Sequence, residues 1–306
     1  MTKVIAIVGP TAVGKTALSV ELAKQLNGEV ISGDSMQVYR RLDVGTAKVT
    51  PEEQQGIPHH LIDICDVDEQ YSVARFKQEA NSAIKDIAKR GHLPIIAGGT
   101  GFYLQALTDN LSLGGKQDKD SEAIRQRWQE LIDENGPEWG WQQLNAKDPQ
   151  AAANIPVQNI RRVIRALEVI EISKKPFSEQ EQRTSLDEYL LIGLTTDRQV
   201  LYQRINQRVD IMIQNGLLGE ARALYEQGGK NLPAGKGIGY HELFPYFAGE
   251  VDLDYAVDKI KLDSRHYAKR QLTWFRNKMT VNWFDLVSGQ NSINEIKSFI
   301  EDWLRN

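Results

Sequence analysis

The sequence predicts an α/β fold, a parallel sheet flanked by helices and interrupted by an inserted, mainly helical subdomain. Three observations carry this expectation. Short apolar runs alternate with amphipathic helical stretches as far as about residue 110, which is the pattern of repeated β-α units. Residues 112–187 lose that alternation and become polar, rich in Trp and Gln, and broken at Gly136-Pro137, Pro149, Pro156 and Pro176. Sheet character then returns at Tyr189 to Leu194. The expected division is a core of 1–111 and 188–306, with a helical C-terminal part, around an insert of 112–187.

The elements follow in order. Val4 to Val8 is a buried-type strand that runs straight into Gly9-Pro10-Thr11-Ala12-Val13-Gly14-Lys15-Thr16, a complete G-x-x-x-x-G-K-T phosphate loop. Its glycines allow a tight turn whose N–H groups converge on phosphate oxygens; Lys15 adds a charge, and the Thr16 hydroxyl can ligate Mg²⁺. The helix from about Lys15 to Leu26 points its positive end at the same anion. The core is therefore expected to be P-loop NTPase-like. Glu29 to Gly33 reads as the second strand, with Asp34-Ser35 at its carboxyl end, where ligands of open α/β sheets gather. His60 to Cys65 reads as another strand. A helix from about Ser72 to Arg90 keeps Val73, Phe76, Ala80, Ile84 and Ile87 on one face and stops at Gly91. Leu93 to Ala97 is a strand ending in Gly98-Gly99-Thr100-Gly101, and a helix starts near Phe102. After the insert and the returning strand, Thr195-Thr196-Asp197 caps a helix from Arg198 to about Asn215. The last third reads as a helix at 217–227, a glycine-rich loop at 235–239, a long helix from about Asp252 to Met279, a short strand at 281–286 and a terminal helix.

Composition narrows the function classes. The chain has 306 residues, 41% hydrophobic and 25% charged, with a net charge of −4. No global basic field announces nucleic acid, so any such binding must rest on local clusters. Cys65 is the single cysteine and cannot form an internal disulfide; a reducing compartment fits. No stretch approaches the ~18 apolar residues of a membrane span, and a cytoplasmic protein without membrane contact, acting as a monomer, is expected.

Several residues carry chemistry. Asp34 can bind metal-held water or take a proton; Thr100, between glycines, can donate to a leaving oxygen or cap a helix. Arg204 and Arg208 share one helical face, and either can clamp a diphosphate. Between Lys259 and Lys278 stand seven basic residues against one acid, Asp263, interleaved with Tyr267, Trp274 and Phe275, so a phosphate-tracking stripe is possible. Arg161, Arg162 and Arg165 form a smaller cluster. His59-His60 has no ligand partner at metal spacing.

Together with Ser32 to Tyr39, Asp43 to Lys48, Pro58 to Asp63, Gly98 to Tyr103, Arg161 to Val169, Gly237 to Tyr240 and Tyr267 to Arg276, the phosphate loop resembles the tRNA dimethylallyltransferases through most of the chain. The resemblance implies transfer of a dimethylallyl group from its diphosphate to N6 of the adenosine 3′ of the tRNA anticodon, with Mg²⁺ as cofactor. By matching position, residues 9–16 would hold the diphosphate, Thr16 the Mg²⁺, Asp34 would be the base, Thr100 would bond the bridging oxygen, and Arg208 would grip the diphosphate. Asp34, Ser35, Met36 and Gln37, then Gln158, Asn159, Ile160, Arg161 and Arg162, and Lys269 with Arg270, would contact tRNA, the insert clasping the anticodon stem-loop. A non-catalytic nucleotide switch would also carry the phosphate loop, but Asn277-Lys278-Met279-Thr280 lacks the Asp of a guanine-reading sequence, and two enzyme rivals share the loop: a small ATP-dependent kinase and an enzyme that prenylates free AMP. Neither gives the insert or the basic stripe a task.

Overall fold

A computed structural model describes residues 1–111, 119–179 and 187–306. Its sheet is formed by β1 (Lys3–Val8), β2 (Gly28–Ser32), β3 (His59–His60), β4 (Leu93–Gly98), β5 (Glu188–Leu194) and β6 (Asn282–Phe284). All pairings are parallel, in the order β3-β2-β4-β1-β5-β6. With parallel strands, every carboxyl end lies at one edge of the sheet. Val4, Ala6 and Val8 face one apolar layer and Ile5 and Ile7 the other, as the two-residue period of a strand covered on both sides requires.

The helices of this unit are α1 (Lys15–Gln25), the short α2 (Pro51–Gln54), α3 (Val73–Lys89) and α4 (Gly101–Thr108) before the insert. α3 buries Phe76, Ala80, Ile84 and Ile87, the stripe read from its period, and Phe76 stacks on Tyr103 of α4 with ring centroids 4.6 Å apart. The chain divides into two compact units, Met1–Thr108 with Ser185–Asn306, and Asp109–Thr184. The second unit holds α5 (Lys119–Asn135), α6 (Pro137–Lys147), α7 (Pro149–Ala153) and α8 (Ile160–Ser173) around Trp128, Ile132, Leu144, Ile155, Val163 and Leu167. Pro137 and Pro149 open α6 and α7, where a missing N–H costs no helical bond. The boundaries expected near residues 112 and 187 adjoin 112–118 and 180–186, which lie outside the described residues.

The first unit resumes with α9 (Arg198–Gln214), capped by Asp197, which accepts from Gln199 N at 2.7 Å. It continues through α10 (Leu217–Glu226), α11 (Phe244–Phe247), α12 (Leu253–Lys278) and α13 (Ile293–Arg305). No described helix is long and apolar enough to cross a membrane.

One element departs from its reading. The strand expected over His60 to Cys65 is two residues long, because Leu61 and Asp63 take φ of 61° and 55°, which no strand tolerates. Cys65 is nevertheless buried, in a lone parallel bridge to Tyr39. The His60 ring is structural: Nε2 lies 2.7 Å from Oε2 of Glu29, which also receives Arg90 Nη2 at 3.0 Å. Burial pushes the Glu29 carboxyl upward, but the hydrogen bonds from Arg90 and His60 outweigh it and hold the group below the ordinary 4.5. A depressed carboxylate stabilises the fold above its unfolded value and loses that contribution as pH falls through the folded value. Glu29→Gln is expected to cost about 2 kcal/mol at pH 7, discounted for the exposure of Arg90. In urea unfolding the gap to the native sequence should shrink below pH 4.5; a gap unchanged in acid would refute the ion-pair account.

Candidate active site

The carboxyl edge of the sheet opens into a cavity of about 390 Å³, lined by the ends of β2 and β4, the phosphate loop, α9, the 236–240 loop and α12. Thr11, Lys15 and Thr16 line it from the phosphate loop. The loop turns through positive φ at Gly9, Ala12 and Gly14, and Gly14 enters α1 at φ 98°, a conformation that glycine adopts without a Cβ penalty. Lys15 Nζ donates to Pro10 O at 2.6 Å, folding back over its own loop.

Two side chains from other elements hold the loop. Arg204 Nε donates to Ala12 O at 2.9 Å. Gln271, buried on α12, accepts from Thr11 N at 3.0 Å and donates to Gly99 O at 3.0 Å, bridging the phosphate loop to the end of β4. Gly99 is required there, since a Cβ would stand 2.0 Å from Gln271 Nε2.

Arg208 lines the cavity and, among the described residues, makes no ion pair. The helical face shared by the two arginines is thus divided: Arg204 braces the loop from outside and Arg208 faces in. Burial, then the Arg208 charge, bring the Lys15 ammonium down to about 7, with Asp34 acting in the opposite sense. Burial likewise lowers Arg208, against Asp34 and Glu53. Two desolvated cations side by side make an anion site.

Asp34 Oδ1 accepts from Met36 N at 2.8 Å and Gln37 N at 3.4 Å, an Asx turn, while its Oδ2 accepts no hydrogen bond from a described residue. Ser32 Oγ donates to Gln37 Oε1 at 2.9 Å, and Gln37 Nε2 donates to Thr46 O at 3.4 Å, so Gln37 joins this turn to the next loop. Thr100 Oγ1 accepts from Ser35 N at 3.1 Å and donates to Ser35 Oγ at 3.4 Å. Thr100 borders the cavity without lining it; Ala97, Gly98 and Gly99 form the wall there. Beside it stands Tyr267, whose phenol is pushed up to about 12 by burial and the Asp34 charge, with Thr100 and Gln271 acting the other way.

Val49, Ile62, Ile205, Val209, Met212, Ile238 and Ile260 make an apolar part of the wall. Glu220 of α10 holds the loop around it, accepting from Asp43 N, Val44 N and Gly45 N at 2.7–2.9 Å and from Tyr240 Oη at 2.6 Å. Sequence reasoning missed Gln271, Glu220 and Tyr267, because each acts on a segment far away in the chain. The aromatic interleaving of the basic stripe was the available signal for Tyr267.

Met36, Gln37, Asp34 and Ser35 line the cavity together with Arg270. Lys269 and Arg270 lie exposed on α12, with Arg270 over the Tyr267 ring at 5.6 Å. The stripe is less uniform than its composition: Lys259 pairs with Asp263 at 2.9 Å and Lys261 with Asp210 at 2.6 Å. Gln158, Asn159, Ile160, Arg161 and Arg162 belong to the second unit, at the start of α8. There Asn159 caps the helix, accepting from Arg162 N at 3.3 Å, Ile160 is half-buried, and Gln158, Arg161 and Arg162 are exposed.

The model of the family described as IPP transferase matches residues 37–278. A tRNA dimethylallyltransferase of Limosilactobacillus reuteri is 66% identical over 306 residues, covering 100% of both chains, and one of Limosilactobacillus fermentum is 63% identical, again over 100% of both. The crystal structure of the full-length tRNA isopentenylpyrophosphate transferase of Bacillus halodurans superposes with a TM-score of 0.74 at 48% identity, covering 100% of this chain and 97% of the other. A eukaryotic dimethylallyltransferase acting on tRNA gives a TM-score of 0.86 at 31% identity, over 100% of this chain and 80% of the other. A phosphate loop, a carboxylate and an unpaired arginine around one half-apolar cavity thus occur in a chain that belongs to the IPP transferase family.

Proposed function

We propose that this protein transfers a dimethylallyl group from dimethylallyl diphosphate to N6 of the adenosine 3′ of the anticodon in tRNA, releasing diphosphate. The observation that carries the reading is a cavity that sets two unneutralised cations, Lys15 and Arg208, against an apolar wall with a half-free carboxylate between loops. A diphosphate satisfies the cations, a five-carbon chain fills the wall, and Asp34 Oδ2 takes a proton.

The step balances within these groups. The N6 lone pair attacks the first carbon of the chain, the bond from that carbon to the bridging oxygen breaks, Asp34 takes the N6 proton, and diphosphate leaves. Lys15, Arg208 and the phosphate-loop N–H groups stabilise the negative charge that grows on the leaving group. The Thr100 hydroxyl accepts from Ser35 N and donates over a long 3.4 Å to Ser35 Oγ, and it would turn that proton to the bridging oxygen. The exposed Thr16 hydroxyl is a hard oxygen donor that suits Mg²⁺. Thr16 would hold the ion, which when bound neutralises charge on the diphosphate. Lys269 and Arg270, on the cavity's α12 side, and Arg161 with Arg162 on α8 supply phosphate contacts to tRNA. The target base reaches Asp34 only if it leaves its stack.

The deciding experiment supplies labelled dimethylallyl diphosphate and Mg²⁺ to an anticodon stem-loop, with AMP and ATP-dependent phosphoryl transfer in parallel. Label in RNA is expected; label in AMP alone, or phosphoryl transfer from ATP, would replace this reading with one of the rivals. Asp34→Asn should slow transfer by at least about 10²-fold with diphosphate affinity retained, as read by single-turnover kinetics. Paired Lys269→Ala and Arg270→Ala changes should weaken tRNA binding and flatten the slope of log K against log salt by roughly one to two.

Lys15 gives a pH signature. Its folded value of about 7 lies below the ordinary 10.5, so the unliganded fold carries a penalty in full below pH 7 that is relieved as pH rises toward the unfolded value. Bound diphosphate restores the ammonium. At pH 8, binding should therefore take up close to one proton, about one fewer in Lys15→Met, measured by calorimetry in buffers of different ionisation enthalpy. Equal proton uptake in the two proteins would remove Lys15 from the anion site.

A further inference from the structure

Beyond the transfer reaction and independent of it, we infer that His241, Glu242 and Asp263 form a binding site for a first-row divalent metal ion of the Zn²⁺ type, which ties the 237–240 wall of the cavity to α12. The His241 ring is oriented by its own loop. Its Nδ1 lies 2.9 Å from Gly237 O. A carbonyl can only accept, so Nδ1 carries a proton, and when that is the ring's one proton Nε2 is a bare lone pair. Nε2 stands 3.3 Å from Glu242 Oε1. Two acceptors held that close repel unless a cation lies between them.

Glu242 sharpens the point. The residue is 4% exposed, and its Oε1 has no hydrogen-bond partner among the described residues, while Oε2 accepts from Gly239 N at 2.8 Å. A buried carboxylate oxygen without a donor is costly. Asp263 of α12 completes a set whose ligand atoms lie within 4.8 Å of one another. Ligands at 2.0–2.2 Å from a tetrahedral ion are separated by about 3.3 Å, which the His241–Glu242 pair already meets. Asp263 closes the remaining distance by a rotamer change.

Asp263 is now held by Lys259 Nζ at 2.9 Å, a side chain 44% exposed, and His266 Nδ1 stands 3.9 Å from its Oδ1. Lys259 is thus the competitor that the ion displaces. One nitrogen and two carboxylate oxygens suit Zn²⁺ or its neighbours better than Mg²⁺, which prefers oxygen alone and keeps its waters. The Nδ1–Gly237 bond orients the ring in the manner usual for ligating histidines, and the exposed His241 edge gives the ion a path in.

The test uses the full chain freed of metal by chelator. Calorimetry with ZnCl₂ should show one equivalent bound and a raised melting temperature. MgCl₂ should not compete at millimolar concentration, and Co²⁺ in place of Zn²⁺ should give a visible absorption band. His241→Ala, a change at an exposed ring, should abolish the melting shift and the band while leaving the chelated protein folded. Lys259→Gln should tighten Zn²⁺ binding by about tenfold, the loss of one competing charge. If a proton fills the gap instead, Zn²⁺ will leave the melting temperature unchanged and His241→Ala will lower it equally with and without chelator; that outcome overturns the site, as does Zn²⁺ binding indifferent to both substitutions.

Discussion

Two desolvated cations in one cavity are the constraint on which the rest of the site depends. Lys15 rises from the turn after β1 and Arg208 from the far side on α9, and burial depresses both. Like charges near one another in a medium of reduced dielectric repel by several kcal/mol at most separations of contact, and no described carboxylate pairs with either. Without an anion the lowered Lys15 ammonium sheds part of that repulsion, and the fold must still hold the loop in shape. It does so with backbone-directed bonds: Arg204 on Ala12 O and Gln271 on Thr11 N fix the loop from opposite sides, and Lys15 spends its donor on Pro10 O. An entering polyphosphate finds donors already aimed, so little ordering remains to oppose binding.

The same logic explains the length of α12. Its inner face buries Ala256, Ile260, Ala268, Gln271 and Phe275, so the helix is anchored by packing before it performs any chemistry. Tyr267 and Gln271 then reach the cavity from that anchored face, and Lys269 and Arg270 stand between them in the chain with exposed side chains. A rigid helix that both braces the phosphate loop and carries the exposed basic groups couples the two faces mechanically. A shift of α12 would disturb Thr11 and Gly99 together, because one amide side chain bonds both.

What the sequence made legible was local. The phosphate loop, the alternation that dictates a parallel sheet, the Asp197 cap and the Phe76–Ile87 stripe depend on neighbours within a turn or a strand, and all were read. The strand at 60–65 was misread because apolar composition says nothing of backbone sign, and Leu61 and Asp63 are left-handed. Arg204 and Arg208 were indistinguishable on a helical wheel; only the position of Ala12 O, 192 residues away, separates brace from ligand. Gln271 and Glu220 were invisible for the same reason. Each is a polar side chain in an amphipathic helix until a distant backbone turn is placed against it. Positions in a site can be read from a motif, whereas the residues that hold the motif in shape can be read only from the fold.

The charge distribution follows from these placements. A chain of net charge −4 repels polyanions at long range, and composition alone argues against an RNA substrate. The basic stripe of α12 answers that objection only in part, since Lys259 and Lys261 are neutralised within the fold by Asp263 and Asp210. Among the described residues of α12, the cations without an ion pair are Arg265, Lys269, Arg270, Arg276 and Lys278, of which Lys269, Arg270 and Lys278 line one surface with Trp274. On α12 the free positive charge thus gathers toward the C-terminal half, which favours that half as the place where a polyanion settles. The internal ion pairs thus do more than support the helix: by removing charge where it is not wanted, they sharpen the place where a phosphate backbone can settle.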